Sequence, residues 1–188
     1  MENMLKFVAI SGSLRKGSYN TMALQAAQKL TPPSVTIQQL SIEGLPLYNF
    51  DLYAQQQHEI AEKLSYEINT ADALIFVTPE YNYSIPGVLK NAIDFLSKHP
   101  AKPFDNKPVG IMSASPGTLG GVRAQYHLRQ VMVAVNAVVL NQPEIMIAQA
   151  NTKFDEHGNL IDTNTKEFIS KFILSLETLT NKMKIRTL

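Results

Sequence analysis

The sequence contains no cysteine among its 188 residues, which excludes disulfide bonds, thiolate nucleophiles, cysteine-bound metals and thiol redox relays. An excess of either charge is also lacking. The 17 lysines and arginines are balanced by 16 aspartates and glutamates, so we predict no surface for nucleic acid or an anionic membrane. Long apolar runs are absent: stretches such as residues 73–77 fall far short of the roughly 20 residues that a membrane-spanning helix needs.

The chain does contain enough hydrophobic residues to form the core of one domain. Hydrophobic residues make up 45% of it and charged residues 18%, which favours a buried core over disorder. The length suits one domain of about 150 residues better than two. The N-terminal residues show no basic flank followed by an apolar segment and a cleavage site, as a secretion signal would. We therefore predict a single domain over residues 1–188, located in the cytoplasm.

Short apolar runs alternate with amphipathic stretches along the chain. The predicted strands are residues 6–10, 35–40, 73–77, 109–112 and a fifth strand, broken near Pro143, at 137–140 and 144–148. The predicted helices are residues 20–30, 60–68, 86–96, 120–135 and a last one opened by a capping box at Asn164 and Glu167, with Phe168, Phe172, Leu176 and Leu179 facing inward. We expect residues 41–57 to be irregular and residues 154–162 to form a polar hairpin. This alternation predicts an α/β fold whose parallel sheet is covered by helices on both faces.

The loop after the first predicted strand, residues 12–20, carries groups that suit a phosphate monoester. Gly12 and Gly17 allow tight turns, and Arg15 can form a charge-assisted hydrogen bond beside the start of a helix. Neutral donors are offered by Ser13, Ser18 and Asn20. The loop matches neither a dinucleotide-binding fingerprint nor a Walker loop. A capped helix start with an exposed arginine is the structural alternative.

The loop after the third predicted strand, residues 78–87, combines two prolines, two tyrosines and Asn82. We expect the prolines to keep the backbone extended. The tyrosines would then offer a flat wall, and the backbone polar groups could contact the edge of a planar heterocycle. A buried pair of tyrosines packed on the helix start is the alternative.

The loop after the fourth predicted strand, residues 113–121, is rich in small residues that allow a ligand to approach the backbone. A flexible strand-to-helix connection would look the same. All three loops, however, follow strands of one parallel sheet, and ligands of such sheets bind beyond the carboxyl ends of the strands. Together the loops predict a ligand site at that edge.

Segments 12–20, 78–94 and 120–130 resemble those of the NADPH-dependent FMN reductases, and most closely the bacterial soluble quinone and chromate reductases. The resemblance runs through most of the domain. It implies a flavodoxin-like, doubly wound fold with five parallel strands in the order 2-1-3-4-5. It also implies FMN as the cofactor and NADPH or NADH as the electron donor.

The resemblance implies a set of FMN-binding residues. The phosphate would be held by Ser13, Arg15, Ser18 and Asn20, with Leu14 and Tyr19 lining the site. The isoalloxazine ring would be bordered by Pro79, Glu80, Tyr81, Asn82 and Tyr83, with Ser115 at its far edge. Pro116 departs from the pattern, because proline has no backbone N–H to donate.

Assembly is a further implication of the resemblance, since the family forms dimers that pair into tetramers. Arg123, Tyr126 and Glu144 match positions of a polar cluster at such an interface, so we expect a homodimer or homotetramer. For Arg123 and Tyr126, a solvated helix face is the alternative.

The implied activity is ping-pong, two-electron reduction of quinones by NAD(P)H. Chromate, azo compounds and free flavins are further candidate acceptors. FMN would take a hydride at N5 and pass both electrons on, and solvent would protonate the product, so we predict no catalytic side chain. The four histidines lack metal-ligand spacing, and no metal is expected. A flavodoxin-type electron carrier and an FMN-bound interaction module regulated by redox state are the alternatives. The near-neutral charge disfavours the carrier.

Overall fold

The computed structural model describes residues 4–53 and 58–186 of the chain. The strands are β1 (Leu5–Ser11), β2 (Val35–Leu40), β3 (Ala73–Thr78), β4 (Pro108–Ala114), β5 (Val138–Val139) and β6 (Ile145–Ile147). The helices are α1 (Tyr19–Lys29), α2 (Phe50–Tyr53), α3 (Glu59–Thr70), α4 (Gly87–Ser97), α5 (Val122–Ala134) and α6 (Thr163–Arg186), with a 3₁₀ turn at Ala150–Thr152. Within the described ranges, no helix has the length and apolar character needed to cross a membrane.

The strands form one parallel sheet in the order β2-β1-β3-β4-β5. The short strand β6 also pairs with β4, so β5 and β6 together fill the fifth position. Their registers place Val139 beside Val109 and Ile145 beside Met112, with Pro143 between the two strands. The prediction of a doubly wound, five-position sheet with a broken fifth strand is confirmed.

Two apolar layers cover the two faces of this sheet. Successive residues of a strand point to opposite faces, so Phe7 joins the layer under α1 and α6, and Val8 joins the layer under α3, α4 and α5. The central strand β3 is buried along its whole length, which explains why its sequence is apolar without alternation. This packing leaves the carboxyl edge of the sheet as the place where three loops emerge together.

The inward face of α6 differs from the sequence prediction at one position. Phe168 is 54% exposed, whereas Ile169, Phe172, Ile173 and Leu176 are buried. The predicted stripe begins with two steps of four residues, from Phe168 to Leu176, and such steps drift around a helix that has 3.6 residues per turn. The buried stripe instead follows steps of three and four residues.

The start of α6 also differs from the prediction. The capping residue is Asp162, whose Oδ1 accepts a hydrogen bond of 2.8 Å from the N–H of Thr165. The capping box expected at Asn164 and Glu167 is therefore wrong, because the helix begins two residues earlier than that box requires. The hydroxyl of Thr165, and after it the N–H, hold the pKa of Asp162 below its ordinary range.

Residues 41–57 were predicted to be irregular and residues 154–162 to form a polar hairpin, and the structure largely agrees. Residues 41–49 are irregular, but α2 forms a single turn within the stretch predicted to be irregular, and residues 54–57 lie outside the described part of the chain. The expected hairpin is confirmed, because Phe154 and Leu160 pair antiparallel across a turn.

We expect the substitution Asp162→Ala to lower the free energy of unfolding by about 1 kcal/mol at neutral pH, because the start of α6 loses its cap. The measurement is urea unfolding followed by circular dichroism. Since the pKa of Asp162 is lower in the folded state than in the unfolded chain, the cap stabilises the protein above the unfolded pKa. The difference between wild type and variant should shrink as pH falls below about 4.

The matched control is Asn164→Ala, two residues further along the same helix. It should change the free energy of unfolding by less than about 0.5 kcal/mol, because this position does not cap the helix. Equal losses in the two variants would contradict the assignment of Asp162 as the cap.

Candidate functional site

A cavity of about 210 Å³ opens where β1, β3 and β4 end. The residues lining it are Ser13, Arg15, Ser18, Tyr19, Asn20, Pro79, Glu80, Tyr81, Ala114, Ser115 and Pro116. All the predicted site residues except Leu14, Asn82 and Tyr83 belong to this lining. Ala114, the last residue of β4, was not predicted as a site residue, because an alanine at a strand end carries no chemical signal in the sequence.

The first loop wraps around the start of α1. The Ser18 side chain caps the helix by accepting a 3.2 Å hydrogen bond from the N–H of Asn20, and the Ser13 hydroxyl accepts from the N–H of Arg15 at 3.3 Å. Gly17 has a φ of +68°, a left-handed conformation that glycine adopts at little cost. A capped helix start and a lining of hydroxyl groups therefore occur together, so the structural alternative for this loop and the ligand site are compatible.

Asn20 ties the first loop to the end of β4. Its amide donates to the carbonyl of Ala114 at 2.9 Å, and its Oδ1 accepts from the N–H of Ala114 at 2.9 Å. The side chain is buried, and these residues stand 94 positions apart in the sequence. Asn20 thus holds two walls of the cavity together, and its amide oxygen is already engaged within the protein.

The charges around the cavity favour an anion. Arg15 is exposed, with its guanidinium 6.0 Å from the ring centre of Tyr19 and donating to the carbonyl of Lys16. The N-terminus of α1 adds unpaired N–H groups and the positive end of the helix dipole. Glu80 is the single carboxylate in the lining, and its charge is engaged by partners outside the cavity.

Glu80 lies next to α5 rather than free in the cavity. Its carboxylate accepts hydrogen bonds from the N–H groups of Arg123 at 2.9 Å and Ala124 at 3.3 Å. The guanidinium of Arg123 pairs with the other carboxylate oxygen at 3.2 Å. The family resemblance implied a place for Glu80 beside the flavin ring, and nothing in the sequence indicated these contacts with α5.

The loop between Pro79 and Pro86 is a tight reversal, not the extended segment that the sequence predicts. The backbones of Tyr81 and Ser84 exchange two hydrogen bonds, of 2.9 and 3.0 Å. Asn82 and Tyr83 between them have φ values of 50° and 67°, as the central residues of a type I′ turn do. Both tyrosines of the loop are largely exposed, so the alternative of a buried pair is wrong.

The third loop depends on Gly120 and Gly121, both of which have positive φ. A Cβ on Gly120 would come within 2.8 Å of the backbone of Met146, and one on Gly121 would come within 2.9 Å of Ser113. Ser113 in turn donates to the carbonyl of Gly120 at 2.6 Å and accepts from the buried amide of Gln125. The loop is therefore closely packed, which contradicts the reading as a merely flexible connection.

The three residues expected at a subunit interface do not meet within one chain. Arg123 pairs with Glu80, whereas Glu144 pairs with Arg129 at 3.4 Å. Tyr126 lies on the same helix as both arginines and is 52% exposed. The Arg129–Glu144 pair could have been suspected from two opposite charges near the broken fifth strand. Across residues 4–53 and 58–186, no group of three or more metal-ligating side chains occurs.

Comparison with known proteins places this chain in a family. The family model described as NADPH-dependent FMN reductase matches residues 5–152. The chain is 49% identical to an NAD(P)H-dependent FMN reductase of Pseudomonas aeruginosa, covering 94% of this chain and 96% of that one. It is 41% identical to a quinone reductase of Escherichia coli, covering 98% and 100% of the two chains.

A solved structure agrees with these sequence matches. The flavoenzyme NAD(P)H:acceptor oxidoreductase FerB of Paracoccus denitrificans superposes with a TM-score of 0.87 at 32% identity, covering 95% of this chain and 98% of that one. The cavity at the carboxyl edge of a 2-1-3-4-5 sheet and these similarities lead to one conclusion: the chain belongs to the family of NADPH-dependent FMN reductases, a family of flavin oxidoreductases.

Proposed function

We propose that FMN binds in the cavity at the ends of β1, β3 and β4, with its phosphate in the loop that leads into α1. The observation that carries this proposal is the donor set of that loop. It combines the hydroxyls of Ser13 and Ser18, the guanidinium of Arg15 and the start of an eleven-residue helix. A phosphate dianion is stabilised by such groups, and the single lining carboxylate, on Glu80, is already paired.

The flavin ring would lie between the two other loops. Pro79 and Tyr81 line one side of the cavity, and Ser115 and Pro116 line another. Asn20 holds the second of these sides in place through Ala114. Leu14, Asn82 and Tyr83 lie outside the cavity lining, so we propose that they act at its rim, where a donor or an acceptor enters.

We infer that the protein is an NAD(P)H-dependent oxidoreductase that reduces quinones, with chromate, azo compounds and free flavins as further candidate acceptors. When bound, FMN would supply the redox chemistry, the transfer of two electrons from the nicotinamide to the acceptor. The protein residues bind and orient the partners at an open rim. Within the described part of the chain, the cavity lining contains no histidine, and its single carboxylate, on Glu80, is engaged, so we propose that solvent protonates the product.

Steady-state kinetics test this activity. The purified protein should take up FMN in an equimolar ratio and oxidise NADPH or NADH only when an acceptor such as benzoquinone is present. Because one rim serves donor and acceptor in turn, double-reciprocal plots at several quinone concentrations should be parallel. Intersecting lines would contradict ping-pong turnover. Flavin uptake without turnover would favour the electron carrier or the interaction module.

Substitution of Arg15 tests the placement of the phosphate. We expect Arg15→Ala to weaken FMN binding by about 1.5–3 kcal/mol, because one charge-assisted hydrogen bond is lost. Riboflavin lacks the phosphate, so its binding should change little. The measurement is quenching of flavin fluorescence by the apoprotein.

The matched control is Lys16→Ala, which removes the same charge from the neighbouring position in the loop but from a side chain outside the cavity lining. It should affect FMN binding much less than Arg15→Ala. Equal weakening of FMN and riboflavin by Arg15→Ala would mean that Arg15 only supports the loop.

We propose further that the protein forms a homodimer or homotetramer through the outer face of α5. Tyr126 and Val133 lie seven residues apart and so share one side of this helix, where they are 52% and 77% exposed. The Arg123 side chain, which is partly exposed, adds a charged group to the same helix. Glu144 would contribute together with its partner Arg129 rather than alone. A cytoplasmic location stays a prediction from the sequence.

Sedimentation velocity tests this assembly. Val133→Glu should shift the protein to a smaller species, because the new carboxylate would be buried without a partner at the interface. The control is Leu174→Glu, which places the same charge at an exposed aliphatic position of α6 and should leave the assembly unchanged. A monomeric wild type would overturn the proposal.

A further inference from the structure

Helix α5 begins without a capping side chain of its own. The residue before its first turn is Gly121, in a left-handed conformation, and it has no side chain that could accept a hydrogen bond. The N–H groups at the second and third helical positions, Arg123 and Ala124, are those that an N-cap side chain normally satisfies. Here both donate to Glu80, 43 and 44 residues earlier in the chain.

The same carboxylate is also linked back to its own loop. The second oxygen of Glu80 pairs with the guanidinium of Arg123 at 3.2 Å, and that guanidinium lies 4.2 Å from the ring centre of Tyr83. The planar cation thus contacts a carboxylate on one side and an aromatic face on another. Contacts thus link Glu80 to Arg123 and Arg123 to Tyr83, and we call these three residues the Glu80 clamp.

The clamp acts on a strained part of the backbone. Tyr83 has a φ of 67°, which is uncommon for a bulky residue and is kept only when surrounding contacts hold it there. Tyr83 is otherwise 66% exposed, so its ring has little packing of its own. Two side chains of α5 reach this turn: the guanidinium of Arg123 lies over the Tyr83 ring, and His127 Nδ1 shares a 3.1 Å hydrogen bond with the Ser84 hydroxyl.

We propose that Glu80 is a positioning residue for the cofactor. It fixes the backbone from Pro79 to Tyr81 against α5 and, through Arg123, holds the turn at Tyr83 in its strained shape. The inference rests on the proposed FMN site, because Pro79, Glu80 and Tyr81 line the cavity assigned to the flavin. The carboxylate itself is turned to α5, with only 13% of the side chain exposed.

A double-mutant cycle on FMN binding tests the clamp. Glu80→Ala removes the cap and the ion pair, whereas Arg123→Met removes the guanidinium but keeps the backbone N–H. We expect Glu80→Ala to raise the FMN dissociation constant by up to about tenfold, the scale of one lost helix cap. In the Arg123→Met background the same substitution should have a clearly smaller effect, because part of the clamp is already gone.

The conservative variant Glu80→Gln separates positioning from a direct effect of charge. Its amide oxygen can still accept from the helix N–H groups, so it should restore much of the FMN affinity that alanine loses. A role confined to fold stability would lower the melting temperature of Glu80→Ala and leave the FMN dissociation constant unchanged, which would overturn the proposal. The same effect of Glu80→Ala in both Arg123 backgrounds would overturn it as well.

Failure of the clamp and failure of the FMN site give different results. If Arg15→Ala and Glu80→Ala both leave FMN binding unchanged, the site itself is misplaced. If Arg15→Ala weakens FMN selectively but the Glu80 cycle shows no coupling, the site stands and the clamp is wrong. Arg123→Met leaves the backbone cap of α5 intact, so it provides a folded variant even if Glu80→Ala does not fold.

Discussion

The rest of this structure depends on one constraint: the strands pair in parallel, in a sheet that is buried on both faces. Because all strands run the same way, the loops after β1, β3 and β4 leave the sheet at one edge, although they are distant in sequence. Helices cover both faces, so this edge is the exposed surface at which a ligand can reach the strand ends. The position of the cavity is therefore set by the topology of the sheet, whatever side chains line it.

Side chains rather than backbone pairing then fix the three loops relative to one another. Asn20 bonds the first loop to the end of β4, and Glu80 bonds the second loop to the start of α5. Gln125 reaches from α5 to Ser113 and to the carbonyl of Ile145. Each is a polar group partly or wholly removed from water, so losing its partner would leave an unsatisfied group, which is costly. The cavity is held in shape by these few contacts.

These contacts also set the electrostatics of the cavity. The carboxylate of Glu80 is satisfied by two N–H groups and a guanidinium, and Arg15 remains exposed beside the helix start. An anionic group in the cavity would therefore meet donors and a positive charge without a free carboxylate nearby. The same arrangement leaves few groups in the lining that could exchange protons, consistent with redox chemistry that belongs to a bound cofactor.

The amino-acid sequence by itself determined the elements of this fold and the edge where the site lies. Local apolar periodicity and turn residues predict β2 at its observed bounds, and the first unusual loop predicts the lining around Ser13, Arg15 and Ser18, whereas Ser115 came from the resemblance to a family. Such patterns are visible because each depends on neighbours a few residues away. The strand order came from the resemblance to a family rather than from periodicity.

Only the tertiary structure decided which side chains meet across the chain. The partner of Asn20 is a backbone group 94 positions away, and Glu80 caps a helix that begins more than 40 positions later. The reversal at Tyr83, which replaces an extended loop, is stabilised by a guanidinium from α5. Secondary-structure propensities of single residues cannot predict such long-range contacts, because it is the packing of the whole sheet that brings the partners within hydrogen-bonding distance.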